Sequence, residues 1–295
     1  MKKLYFVVAT FVSLSMANLV NADTIEIYVP TPPGGAVDMT ARSVSKSLTG
    51  QGYKNVVMYQ PGANGDIALH KVLEKSKNSM LVASSANWVF SHLLANRENI
   101  HVKDLQLLGP SVSNAMAFYS PMDKTSDSFQ DLIMRARNGN MTCAVSNSHG
   151  EIELKQINQR YGTKFVAVPY KGTGQLIPDL IGGHVPCAYD QIAPYTQLQG
   201  KVNFLATSGT KSFRNNIPLI SSVLPGYSFV TRYAVGIPKT SALLEDKKLL
   251  AALNWTQDQE LAAPMVERSF VIEISDPNLN ARAVRETTQY RNSLK

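Results

Sequence analysis

Two adjacent glycines, Gly34 and Gly35, stand between a strand-like run and a helical pattern, and this arrangement can bind an anion. Ile25–Val29 alternates apolar residues as a β-strand does, and the prolines that follow cannot donate to a sheet. Apolar residues then recur at helical spacing at positions 37, 41, 44 and 48. The first N–H groups of a helix lack intrahelical partners and lie at the positive end of its dipole. The turn Pro33, Gly34 and Gly35 therefore suits a carboxylate or phosphate, although it could also be a plain connection.

Asp38 lies in the first turn of the predicted helix, where two roles are open. Its carboxylate can cap backbone N–H groups and suits the dipole there. It can also hold an ammonium or hydroxyl group of a ligand. Capping is favoured, because a carboxylate beside an anion site would repel the anion.

Polar side chains also follow several other strand-like runs. Because parallel strands end at one edge of a sheet, these residues are predicted to share a binding edge. They are Ser84 and Ser85 in the first half of the chain, and Asn147, Ser148, His149, Tyr170, Lys171, Gly172 and Asp190 in the second. The serines can bind a carboxylate or cap the next helix, and Asp190 can cap a helix or reach the cleft.

Three of these residues have side chains suited to an acidic ligand. His149 has no acid, cysteine or histidine at metal-ligand spacing, so its ring is predicted to donate to the ligand and to titrate near physiological pH. Tyr170 can cover a ligand and donate to it at once. Lys171 can be a counter-ion for a carboxylate or an exposed turn residue.

The whole chain alternates short strands with helices, which predicts an α/β fold with parallel sheets. The strand–turn–helix unit occurs three times before residue 100 and three times after residue 140, so we expect two similar lobes. Residues 109–119 are predicted to cross from the first lobe to the second, and the chain is predicted to return near residues 227–238, with a strand at 233–238. The expected domains are residues 23–110 with 228–295 as lobe 1 and residues 111–227 as lobe 2.

The first 22 residues are predicted to be a signal peptide. Lys2 and Lys3 precede an apolar stretch, and Val20, Asn21 and Ala22 offer small residues near a cleavage site. Without those two lysines the formal charge falls from +7 to +5. The remaining charge is scattered, so the sequence argues against nucleic acid and weakly for an anionic ligand.

The chain has two cysteines, Cys143 and Cys187. They occupy matching positions in two runs that are predicted to be neighbouring strands, so we expect them to lie close together. They can form a disulfide in an oxidising compartment or remain two buried thiols. Side chains of neighbouring parallel strands point alongside rather than toward each other, which favours the thiols.

Three motifs resemble those of the tripartite tricarboxylate transporter substrate-binding proteins, often called the Bug family. The first is Pro30-x-Pro-Pro-Gly-Gly-x-x-Asp38, the second is Pro61-Gly-Ala-Asn-Gly65, and the third is Val168-Pro-Tyr-Lys-Gly172 with a following Asp-Leu-Ile-Gly-Gly. The resemblance implies a type II periplasmic-binding-protein fold, with two α/β lobes around a ligand cleft. It adds Ala63 and Asn64 to the expected ligand-binding residues. Gln60 departs from the family, which usually has Arg before Pro-Gly-Ala.

The resemblance also implies a function. It predicts a periplasmic receptor that binds a small organic acid, such as a di- or tricarboxylate, without cofactor, metal or catalysis. Its expected partners are the large and small integral membrane subunits of a transporter, and we expect a monomer. Two other classes stay open: an exported hydrolase or lyase, and a ligand sensor. Against an enzyme, the chain has no Gly-x-Ser-x-Gly or His-Glu-x-x-His motif.

Overall fold

The structure is a computed structural model that describes most of the chain beyond the predicted signal peptide. The described residues are 24–85, 87–88, 103–122, 128–192, 195–209, 217–268, 270–272 and 278–293. The predicted signal peptide lies outside them. The apolar pattern after residue 87 also predicts a helix over residues 88–94, of which only Trp88 is among the described residues.

The described part of the chain forms a mixed sheet of ten strands in the order β2-β1-β3-β9-β4-β7-β5-β6, with β8 and β10 also paired to β4. The strands are β1 Ile25–Val29, β2 Asn55–Tyr59, β3 Ser79–Ser84, β4 Leu105–Pro121, β5 Met141–Val145, β6 Phe165–Pro169, β7 Ala188–Gln191, β8 Val202–Thr207, β9 Val230–Pro238 and β10 Phe270–Ile272. Asp190, predicted near the end of a strand, lies within β7 and is followed there by Gln191.

Helices cover the sheet and follow the strands as the alternating pattern predicted. They are α1 Ala36–Gly50, α2 Asp66–Glu74, α3 Phe129–Asn138, α4 Ser148–Tyr161, α5 Thr173–Ile181, α6 Tyr195–Leu198, α7 Lys247–Ala252, α8 Gln259–Glu267 and α9 Leu279–Ser293. Within the described residues, no helix is both long and apolar enough to cross a membrane.

One strand, β4, runs through both halves of the sheet. The first half of β4 pairs antiparallel with β9, from Leu105 to Ala115, and its second half pairs with β7 and β8. The pairing with β9 shifts register between Leu108 and Val112, where Gly109 has a φ of 100°. The predicted crossing segment 109–119 therefore lies in the strand that both halves share, whereas residues 230–238 of the second predicted segment form β9, which pairs only within the first half. The exact division of the lobes at residues 110 and 227 stays a prediction.

The core lies on both faces of each half of the sheet. In the first half, the apolar stripe of α1 packs on Ile27, Val29 and Val235. In the second half, aromatic rings dominate one face: Phe118 lies between Phe129 and Tyr189, with centroids 5.2 and 4.6 Å away. This packing fixes the strand ends that carry the candidate site.

The two cysteines form a disulfide in this second half. Their Cα atoms are 4.8 Å apart, so the predicted proximity is confirmed. The preference for two thiols was wrong. Cys187 comes directly before β7, and its carbonyl accepts the N–H of Ala144 across 2.8 Å, so it lies beside Cys143 on β5.

Candidate functional site

The turn after β1 has the geometry of an anion site, but one of its donors is already used. Gly34 has a φ of 97°, which favours glycine, and its N–H donates to Oδ2 of Asp38 across 2.8 Å. Gly35 precedes α1, and no side chain caps this helix. Pro33, Gly34 and Gly35 are exposed. The start of α1 therefore faces outward without a side-chain cap, and it offers positive potential and backbone N–H groups.

Asp38 holds this turn by hydrogen bonds. Its carboxylate also accepts hydrogen bonds from Arg42 Nε at 2.9 Å and Tyr59 OH at 2.5 Å. Burial raises the pKa of this carboxyl, but the bonds from Tyr59, Gly34 and Arg42 outweigh it and lower the pKa overall. Asp38 is therefore a charged group whose oxygens face protein donors. It accepts the N–H of Gly34 before the helix, but it does not cap α1 itself.

Asn87 joins the end of β3 to the second motif. Its Oδ1 accepts from Ser84 N and Ser84 Oγ, both at 3.1 Å, and its Nδ2 donates to the carbonyl of Asn64 at 3.0 Å. Ala63 and Asn64 both have positive φ, of 47° and 53°, which is uncommon for residues with a side chain. Asn87 thereby holds a strained, exposed turn close to the end of β1. Gly65 shows this proximity, since a Cβ there would lie 3.3 Å from Cβ of Pro30, the residue after β1.

Ser85 has a structural partner away from this turn. It is almost fully buried, and its Oγ accepts the N–H of Arg232 on β9 across 3.2 Å. Of the two predicted serines, Ser84 thus supports the binding edge through Asn87, and Ser85 joins β3 to β9.

In the second half, the loop after β5 is arranged differently from the prediction. Asn147 caps α4 by accepting from Gly150 N at 3.1 Å, and Ser148 is half-buried. His149 is fully buried, with its ring 4.3 Å from that of Phe229 and its Nδ1 3.3 Å from Thr231 Oγ1. Burial lowers the pKa of His149 to about 3. The expectation that it titrates near physiological pH was wrong, because the sequence could not show the desolvation of its ring.

Asp190 is the centre of the polar groups in the second half. It is almost fully buried, and its two oxygens accept from Ser146 Oγ at 2.6 Å and Thr173 Oγ1 at 2.7 Å. Burial raises the pKa of this carboxyl, although the bonds from Ser146 and Thr173 work against the rise. Asp190 thus ties the loop after β5 and the start of α5 to β7.

The third motif lies next to this group. Gly172 precedes α5 with a φ of 133°, and Lys171 is exposed. Tyr170 is half-buried, and its hydroxyl donates to Asp179 Oδ2 at 2.7 Å, which raises the pKa of the tyrosine. The Tyr170 hydroxyl therefore has a partner within its own half of the protein.

Sequence reasoning missed two hydroxyl groups at this edge. The side-chain oxygens of Thr31 and Tyr233 are buried without a hydrogen-bond partner in the described part of the chain. Thr31 stands between prolines just after β1, and Tyr233 was predicted only as a strand residue. An unpaired polar atom cannot be found from sequence, since it depends on what surrounds the side chain. Among the described residues, no cluster of acids, histidines or cysteines could hold a metal ion.

Several solved structures have this fold. MatC of Rhodopseudomonas palustris, solved with bound malate, superposes with a TM-score of 0.78 at 16% identity, over 92% of this chain and 99% of MatC. A second protein of that organism, solved with adipate, gives a TM-score of 0.77 at 21% identity, over 92% of this chain and 95% of the other. At these identities the likeness shows the fold, which confirms the predicted two-lobed α/β architecture.

Sequence relatives extend over nearly the whole chain. Protein BugT of Bordetella pertussis is 28% identical over 299 aligned positions, which cover 94% of this chain and 90% of BugT. Residues 39–289 match the family described as the tripartite tricarboxylate transporter family receptor. The chain therefore belongs to the tripartite tricarboxylate transporter receptor family, as its three motifs predicted.

Proposed function

We propose that this protein is a periplasmic receptor that binds a small organic acid in the cleft between its lobes. One carboxylate of the acid lies at the turn Pro33–Gly35, against the start of α1. The receptor then delivers the acid to a membrane transporter with one large and one small integral subunit. It acts as a monomer, without cofactor or catalytic residues, after removal of residues 1–22.

The observation that carries this proposal is the exposed start of α1. No side chain caps the helix, its two preceding glycines are exposed, and Asp38 is turned toward protein donors instead of the space in front of the turn. A carboxylate placed there gains the remaining backbone donors and the helix dipole. MatC was solved with malate, and the second protein of Rhodopseudomonas palustris was solved with adipate, so dicarboxylates are the first ligands to test.

The opposite side of the cleft comes from the second half of the chain. The group around Asp190 fixes the loops that carry Asn147, Ser148 and Gly172, and Tyr170 and Lys171 lie beside them. We propose that these loops close over the acid, with the strands β4 and β9 as the hinge. The lobes divide at residues 110 and 227 in this proposal.

The test compares two glycines at opposite ends of α1. A Cβ at Gly35 or at Gly50 would meet no atom within 4 Å, and neither position has a positive φ, so alanine fits both without strain. Gly34 is less suitable, because its φ of 97° would strain any side chain. Gly35→Ala should weaken acid binding at least about tenfold, since its methyl group stands where the carboxylate approaches. Gly50→Ala should bind as the wild type does.

Affinity is measured by calorimetry with malate, adipate and succinate, after a thermal-shift screen of carboxylic acids. Binding by the wild type and by Gly50→Ala, with loss in Gly35→Ala, supports the site. Equal affinity of the two variants would refute it. Mass spectrometry of the recovered acid separates a receptor from a hydrolase or lyase, because a receptor returns the acid unchanged.

A further inference from the structure

The hydroxyl of Tyr233 is a buried donor that the fold itself does not use. Tyr233 lies on β9, is fully buried, and has no hydrogen-bond partner for its hydroxyl within the described residues. Its ring packs against Phe270 with centroids 5.4 Å apart. Burial of a hydroxyl removes its hydrogen bonds to water, so native structures nearly always supply a replacement.

Other buried tyrosines of this protein follow that rule. The Tyr119 hydroxyl donates to the carbonyl of Gln191. The Tyr189 and Tyr227 hydroxyls share a hydrogen bond, and Tyr227 also donates to Glu153. Tyr233 is as deeply buried as Tyr119 and Tyr189 and differs in that no described residue pairs with its hydroxyl. A bound ligand could supply the missing hydrogen-bond partner.

Tyr233 lies at the edge of the sheet that carries the candidate site. It pairs with Ser84, the last residue of β3, and Ser84 bonds to Asn87, which holds the turn at Asn64. Burial raises the pKa of Tyr233 well above its usual value, and the charge of Asp190 in the second half adds to the rise. The hydroxyl is therefore protonated at neutral pH and can donate.

We propose that Tyr233 is a ligand-binding residue whose hydroxyl donates to an oxygen of the bound acid. This inference rests on the proposed function. It adds a residue of β9, the proposed hinge strand, that contacts the ligand. The acid must carry an acceptor oxygen within reach of β9 while its carboxylate lies at the start of α1. Acids with a second oxygen-bearing group, such as malate, meet this requirement.

Tyr233→Phe gives a sharp test because it removes only the hydroxyl and keeps the ring on Phe270. Without ligand, the variant should unfold at the same temperature as the wild type or higher, since an unpaired buried hydroxyl is lost. Its affinity for malate, adipate or succinate, whichever the wild type binds most tightly, should fall about 10- to 100-fold, as expected for one lost hydrogen bond to a charged or polar ligand group.

Tyr189→Phe is the matched control. It removes a buried hydroxyl that has a protein partner, so it should lower the unfolding temperature and leave the affinity unchanged. Wild-type affinity in Tyr233→Phe would overturn the inference and leave the proposed receptor function standing. A loss of stability in Tyr233→Phe as large as that in Tyr189→Phe would also overturn it, because the hydroxyl would then have a structural partner. If the wild type binds none of the acids, the proposed function and this inference both fail.

Discussion

Ser146 donates a hydrogen bond from its Oγ to Oδ1 of Asp190 across 2.6 Å, and it does so inside the protein, where Asp190 is almost fully shielded from water. Thr173 makes the matching bond to the other oxygen. One buried carboxylate thus holds two loops that come from different strands. The shape of this side of the cleft depends on these bonds.

Removal of one hydroxyl should therefore destabilise the protein. Ser146→Ala should lower the free energy of unfolding by about 1–3 kcal/mol, because a buried carboxylate loses a hydrogen bond. In an Asp190→Asn background the same change should cost less, which a double-mutant cycle in urea detects. Thr142→Val, at an exposed position on β5, is the control and should change stability by less than about 0.5 kcal/mol. Additive effects in the cycle would contradict the predicted coupling.

The buried His149 should make the fold sensitive to acid. Its pKa is about 3 in the folded protein, against 6.5 for a free side chain, because of desolvation. The unfolded state therefore binds the proton more readily, and stability falls as the pH drops below about 6.5 until it approaches 3. At pH 5 the loss from this residue is about 2 kcal/mol relative to neutral pH.

His149→Gln should remove that part of the pH dependence, because glutamine cannot be protonated in this range. Urea unfolding at pH 7.5 and pH 5 measures the difference. Thr142→Val, at an exposed position without a titratable group, is the control and should keep the wild-type dependence on pH. An unchanged slope in His149→Gln would show that other groups cause the acid sensitivity.

The disulfide between Cys143 and Cys187 should contribute about 2–4 kcal/mol to stability, since it closes a loop with a sequence separation of 44 residues. The double variant Cys143→Ala, Cys187→Ala should lose this amount in urea unfolding without reductant. With reductant, the wild type should approach the variant. Thiol titration in denaturant alone is the check: two reactive thiols per chain would mean that the bond does not form.

Tyr170 should act through its ring and not through its hydroxyl, which donates to Asp179 within the same half. Tyr170→Ala should weaken acid binding by about 1–3 kcal/mol and reduce ligand-dependent compaction in small-angle X-ray scattering. Tyr170→Phe should bind nearly as the wild type does, because the covering ring is kept. Full affinity and compaction in Tyr170→Ala would place the ring outside the binding cleft.

The sequence predicted those features that depend on local patterns. Apolar spacing located α1, and the alternation of strands and helices gave the α/β fold, while proximity of Cys143 and Cys187 followed from their neighbouring strands. The motif at Gly34 was recognisable because glycines and prolines constrain the backbone locally. These predictions needed no knowledge of which side chains meet across the fold.

Other features arise only from packing in three dimensions. The burial of His149 depends on Phe229 and Thr231, which lie far away in the sequence. The bond from Asn87 to the carbonyl of Asn64 and the unpaired hydroxyl of Tyr233 likewise depend on the directions of side chains. The choice between a disulfide and two thiols at Cys143 and Cys187 also depends on side-chain directions that periodicity does not give.

The position of β9 has a consequence for fragments of this chain. β9 lies between β3 and β4 in the sheet, although it follows both by a long stretch of sequence. A product truncated before Val230 would leave the facing edges of β3 and β4 without partners, and both are rich in apolar residues. Such incomplete chains should aggregate or be degraded, because the first half of the sheet becomes a closed unit only when the late strand inserts.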